Sequence, residues 1–197
     1  MTNETRAPRI APLQPPYTDE VATMLAKWMP PDSGAEPLRL FRTLVRHGEL
    51  SSRMRPLGAG ILGSHASVEP LLREVMIHRT CGLTGNEYEW GVHAAAFGRP
   101  LGLDDEQLRS TAWGTAADPC WEGRQASVFA LADELHETSS ISEELWGSLR
   151  EHFSDAQIIE LIATAGWYHL IAYICNGLGV ELEEWAPRFP ACTLSGA

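Results

Sequence analysis

Between Glu74 and His93 the chain sets the carboxylates of Glu74 and Glu89, the amide of Asn86, the imidazole of His93 and the guanidinium of Arg79 close together in sequence. At 100° per residue, Asn86, Glu89 and His93 fall within a narrow arc of one helix, so that face presents an amide, a carboxylate and an imidazole in a column. Glu74 and Arg79 face them from the preceding helix if the two helices form an antiparallel hairpin. A carboxylate orients an imidazole and raises its basicity, and the imidazole then moves a proton near neutral pH. In that chemistry His93 is the general acid/base, Glu89 its orienting partner and Glu74 a second proton relay. Arg79 or the helix N-terminus holds an anion, and Asn86, Tyr88 and Trp90 are substrate contacts. Glu and His four apart are equally the pattern of a solvated helix pair, so spacing alone leaves both readings open.

Two helices must position these residues. Val68, Leu71, Leu72, Val75 and Met76 have helical spacing, Ser67 is placed as an N-cap, and Gly82 stands where a left-handed residue would close the helix. Thr84-Gly85-Asn86-Glu87 reads as a capping box that opens the second helix.

Glu74, eleven residues, Asn86, two residues, Glu89, three residues and His93 form a pattern that resembles the carboxymuconolactone decarboxylase and alkylhydroperoxidase D-like superfamily. In its peroxidase branch the two middle positions are a Cys-x-x-Cys pair fed by a Glu. Here they hold Asn86 and Glu89, and the words Arg73-Glu74-Val75-Met76-Ile77, Tyr88 to His93 and Gly102 to Leu108 look like the cysteine-free, decarboxylase-like branch. The resemblance covers about residues 36–185. It implies an all-α, alkylhydroperoxidase D-like bundle, a homo-oligomer (trimer or hexamer) with sites near subunit interfaces, and cofactor-free lyase or isomerase chemistry on a small cyclic acid. A hydroperoxide reductase is disfavoured because Asn86 and Glu89 cannot form a disulfide. A metal site built on Glu74, Glu89, His93 and either His78 or His169 lacks a zinc-spaced histidine pair. A binding protein without catalysis is the remaining alternative.

The totals agree with a small-molecule site. Fifteen Lys and Arg stand against 26 Asp and Glu, a net charge of −11, which argues against nucleic acid or an anionic membrane as a partner. Cys81, Cys120, Cys175 and Cys192 show no Cys-x-x-Cys or zinc spacing and read as reduced thiols. The N-terminus has no signal-peptide layout, so a cytoplasmic protein is expected.

The remaining elements follow from periodicity and caps. Residues 1–35 form a proline-rich arm with a short helix capped by Thr18, residues 36–185 the helical domain, and 186–197 an irregular tail. A loop spans Asp32 to Ala35 at the end of the arm; within the domain a helix covers Leu38 to Val45, and Pro56 to Gly63 is too glycine-rich to be read as a helix. Asp104 with Gln107 and Ser154 with Gln157 are capping boxes, and Ser140 or Ser142 caps another helix. The apolar run Ile158 to Cys175 reads as a buried or subunit-interface helix, since Glu160, Tyr168, His169 and Asn176 interrupt it. Tyr168 and His169 could serve a site, although a structural role ranks ahead for each. No strand period appears, and about eight helices are expected.

Overall fold

Side-chain caps start most of the helices. Thr18 accepts from the Val21 N–H at the head of α1 (Asp19–Trp28), and Ser142 does the same for Leu145 at the head of α8 (Glu143–His152). Full capping boxes open α6 (Asp105–Trp113), through Asp104 and Gln107, and α9 (Asp155–Leu178), through Ser154 and Gln157. The other α-helices are α2 (Arg39–Leu44), α3 (Gly48–Leu62), α4 (Pro70–Leu83), α5 (Glu87–His93) and α7 (Gly123–Thr138). A 3-10 turn, Val45–His47, joins α2 to α3, and a π-turn, Ala94–Gly98, extends α5. This computed structural model describes residues 7–30 and 34–192, and among them there is no strand. The first six residues of the expected arm, the first half of the loop expected over Asp32–Ala35 and the last five of the tail lie outside the described residues.

Helix α4 is the axis of the bundle. Ten consecutive residues, Leu72 to Cys81, are buried, which a helix reaches only when neighbours cover every face. Those neighbours are α5, α6, α7 and α9. Gly82 lets α6 close in, because a methyl group there would collide with the Thr111 carbonyl. Helix α9 is long and apolar enough to cross a bilayer, but half of its most apolar window is buried within the fold. It is a core helix that leaves Ile159 and Tyr173 exposed. The described part of the arm runs along the body, where the Arg9 N–H donates to the Leu178 carbonyl at 2.8 Å and the Leu13 N–H to the Arg42 carbonyl at 3.1 Å.

Four local expectations are corrected. The glycine-rich segment is helical, within α3, because Gly58 is where Trp167 packs: a Cβ there would lie 3.0 Å from the indole ring. Helix α4 starts after Glu69 with Pro70 in the first turn, and Ser67 instead donates to Glu160. Finally, Gly82 is helical and Gly85, at φ 62°, is the left-handed residue. The Thr84 hydroxyl turns back to the Thr80 carbonyl at 2.7 Å, and Asn86 is the N-cap of α5, accepting from the Glu89 N–H at 3.3 Å.

Candidate functional site

The α4–α5 hairpin forms, and it brings Glu74 against His93. Glu74 Oε2 lies 2.9 Å from His93 Nδ1, and the Tyr168 hydroxyl, from α9, lies 2.8 Å from Nε2. Glu89 Oε2 stands 3.5 Å from the same Nε2. With the Nδ1 proton donated to Glu74, the Nε2 lone pair is left to accept from Tyr168. Glu74 is therefore the orienting partner and Glu89 the outer carboxylate, the reverse of the roles read from i,i+4 spacing. The physical reason is reach: Glu74 approaches across the hairpin in line with Nδ1, whereas Glu89, on His93's own helix, reaches only the edge of Nε2.

All four groups are almost fully buried, and burial sets their proton affinities. Burial pulls the His93 imidazole down, but the charge and hydrogen bond of Glu74, with help from Glu89, outweigh it and hold the ring above its ordinary value. Burial pushes the Glu89 carboxyl up; His93 opposes this, and Glu74 and Glu183 add to it. The Tyr168 phenol is raised by burial and by the two nearby carboxylates, so it stays a proton donor. A second imidazole, His78, sits on the far side of Glu74, with Nδ1 2.7 Å from the Glu74 carbonyl oxygen. Burial lowers it to about 4, against the attraction of Glu74, so it is neutral. Its ring abuts Gly98 in the π-turn, where a Cβ would come within 2.8 Å.

Glu89, His93 and Tyr168 line a cavity of about 970 Å³, walled by α3, α5, α9, the segment around α2 and the 183–185 loop. Trp28, Phe41, Phe97 and Trp167 give it aromatic walls. A space of this size, mostly apolar with a few converging polar groups, is the usual form of a small-molecule site.

The other sequence-derived candidates are placed elsewhere. Arg79 pairs with Asp133 at 2.5 Å, donates to the Thr111 carbonyl and lies over the Phe129 ring at 4.4 Å. Five residues from Glu74, it points about 140° away around α4 and cannot share the site face. Tyr88 donates to Glu183 at 2.6 Å and accepts from the Leu40 N–H. Trp90 donates to the Thr111 hydroxyl at 3.0 Å and packs on Phe189. The side-chain oxygen of Asn86 is spent on its cap, and its buried amide nitrogen has no partner. Of these four, none lines the cavity. Tyr168 is the residue that sequence reasoning undervalued. Its only signal was a polar side chain inside the most apolar run of the chain.

The four cysteines are free. Burial raises the Cys81 and Cys175 thiols well above the ordinary thiol value, with nearby carboxylate charge adding to it. Both are therefore poor thiolates. Among the described residues no group of three His, Cys, Asp or Glu side chains is arranged as a metal-ligand set.

Among the described residues, nine α-helices arranged about a central α4 whose middle ten residues are buried, with a Glu–His pair across the α4–α5 hairpin, form the alkylhydroperoxidase D-like fold, and solved structures share it. An uncharacterized peroxidase-related protein from Ralstonia eutropha JMP134, described as an alkylhydroperoxidase AhpD core, is 16% identical. It aligns over 89% of this chain and 93% of its own, with a TM-score of 0.75. A peroxidase-related protein from Silicibacter sp. TM1040 is 15% identical over 92% and 96%, with a TM-score of 0.76. The debrominase Bmp8 is 12% identical over 89% and 92%, with a TM-score of 0.71, and a variant of it has been solved with 2,3,4-tribromopyrrole. No family model matches the sequence, and no curated protein does.

Proposed function

We propose that this chain is a cofactor-free acid/base enzyme, a lyase or isomerase acting on a small cyclic acid. The observation that carries the reading is the hydrogen-bonded series Glu74, His93, Tyr168, which runs from the buried core to the cavity wall. In it Glu74 holds the imidazole by Nδ1, and Nε2 exchanges a proton with the Tyr168 hydroxyl. A ring seated in the cavity receives or loses a proton at that end, as a decarboxylated or isomerising carbon requires. Glu89, whose carboxyl is raised by burial, stands on the same wall as a second acid/base group. Fold neighbours that include a debrominase acting in the same helical frame support a small-molecule enzyme. The absence of a Cys-x-x-Cys pair and the raised buried thiols weigh against hydroperoxide reduction.

The test follows deuterium wash-in from D₂O and CO₂ release over a panel of unsaturated cyclic and lactone acids. Peroxide consumption with a dithiol reductant is measured in parallel. His93→Gln is expected to lower the turnover of an accepted acid by about 10²- to 10⁴-fold. Turnover indifferent to His93→Gln, or dithiol-dependent peroxide consumption by the wild type, would overturn the proposal.

A further inference from the structure

With Arg79 committed to Asp133, the acid/base site needs another group to hold an anion. We infer that Arg55, with Lys27 beside it, is the anion anchor of the cavity, and that the ligand is a small ring-bearing carboxylate whose ring lies between the aromatic walls. This assignment rests on reading the cavity as the substrate site.

Four cationic side chains line that cavity. Two are neutralised within the chain: Arg39 by Glu183 and Glu184, and Arg42 by Glu36 at 2.9 Å. Lys27 and Arg55 have no carboxylate partner among the described residues. Arg55 is half-buried, and its Nε donates to the Lys27 carbonyl at the end of α1 at 2.6 Å. That bond fixes the stem and leaves the Nη1/Nη2 edge, two parallel donors of the spacing a carboxylate accepts. Arg42 adds to the deficit, since its buried Nε has no acceptor.

Placement along α3 puts Arg55 on the face that lines the cavity. Arg55, Gly58, Ala59 and Leu62 recur at helical spacing and all line the cavity. Gly58 abuts Trp167, the neighbour of Tyr168, and Arg55 is one turn of α3, about 5 Å along the axis, from Gly58. A flat ring whose carboxylate is held by the guanidinium would lie in the same cavity that Tyr168 and His93 line. Glu36, Glu89, Glu183 and Glu184 also line the cavity, so its lining balances four cations against four carboxylates in a protein of net charge −11, and Arg55 and Lys27, without a carboxylate partner among the described residues, are the cations left to take an anion. Apolar walls strengthen the pairing by excluding water.

Trp28 and Trp167 in the walls make ligand entry readable as tryptophan quenching. Benzoate and its neutral isostere benzamide are titrated against wild type, Arg55→Gln and Lys27→Gln, with the urea midpoint of each protein measured alongside. Benzoate is expected to bind the wild type at least about tenfold more tightly than benzamide. Arg55→Gln is expected to weaken benzoate by about 10- to 100-fold while leaving benzamide within about twofold. Equal affinities for the two ligands in the wild type, or no saturable quenching by benzoate, would overturn the anchor. So would an Arg55→Gln protein that loses both ligands equally with a lowered urea midpoint, because Arg55 would then only tie α1 to α3. Failure of the acid/base reading shows differently: benzoate bound through Arg55 with no His93-dependent turnover of any acid would remove the reaction and leave the anchor.

Discussion

Neutral His78 gives the fold a specific weakness to acid. Its imidazole is completely buried and binds a proton only near pH 4, while an unfolded chain binds it near the ordinary 6.5. A group with a lowered folded value costs stability as pH falls through the window between those two values, because the unfolded state takes up the proton first. Applying the linkage relation to 6.5 and about 4, the loss between about pH 7 and about pH 5 is roughly 2 kcal/mol. His93 and Glu89 act in the opposite sense. Both are raised in the fold, so each contributes more stability as pH falls, and the wild-type profile alone is a sum. The informative quantity is the difference from His78→Asn, whose amide can still donate to the Glu74 carbonyl without titrating. Urea unfolding followed by tryptophan fluorescence at the two pH values should show the wild type losing roughly 2 kcal/mol more than the variant. Parallel losses in the two proteins would refute the reasoning and mean that His78 is charged or hydrated in the fold.

Further expectations concern the rest of the frame. Arg79→Met should destabilise the fold by about 2 kcal/mol by stranding the half-buried Asp133, yet leave benzoate quenching unchanged; a selective loss of ligand would return Arg79 to the site. Gly82→Ala should cost several kcal/mol in urea unfolding, because its methyl group meets the Thr111 backbone rather than a movable side chain. Tyr168→Phe should lower turnover by at least about tenfold with an unchanged benzamide affinity, read from steady-state rates beside quenching. The homo-oligomer expected from the family resemblance is checked by light scattering, and Ile159→Glu on the exposed face of α9 should reduce the measured mass if that face is the interface; a monomeric wild type would end that expectation.

Much of the fold was legible because its signals are local. Thr18, Asp104 with Gln107 and Ser154 with Gln157 cap the helices they announce, and the apolar run of α9 is a core helix. The pairing of Glu74 with His93 also follows once the hairpin is drawn. What stayed hidden depends on contacts between distant segments. The glycines of α3 look like breakers until Trp167 is set against Gly58. Thr84 and Asn86 are both competent caps, and the choice falls to Asn86 because Gly85 takes the left-handed turn between them. Arg79 was misplaced for a reason that was available: five residues from Glu74 is the wrong phase for one helix face. Tyr168 reaches His93 across 75 positions, a closure that no spacing rule anticipates.

That last closure has a consequence for the order in which the molecule is made. The cavity wall draws on residues from Lys27 to Trp185, and the Tyr88 hydroxyl waits for Glu183, 95 positions downstream. As the chain leaves the ribosome, the hairpin carrying Glu74 and His93 emerges well before the partner that buries it. Until α9 arrives, a carboxylate and an imidazole destined for the interior stand in water beside uncovered apolar faces. Contacts this far apart in sequence slow the final docking step and prolong exposure of those faces. The site is therefore assembled only once α9 is in place, and a chain halted during synthesis before α9 is expected to lack the Tyr168–His93 contact.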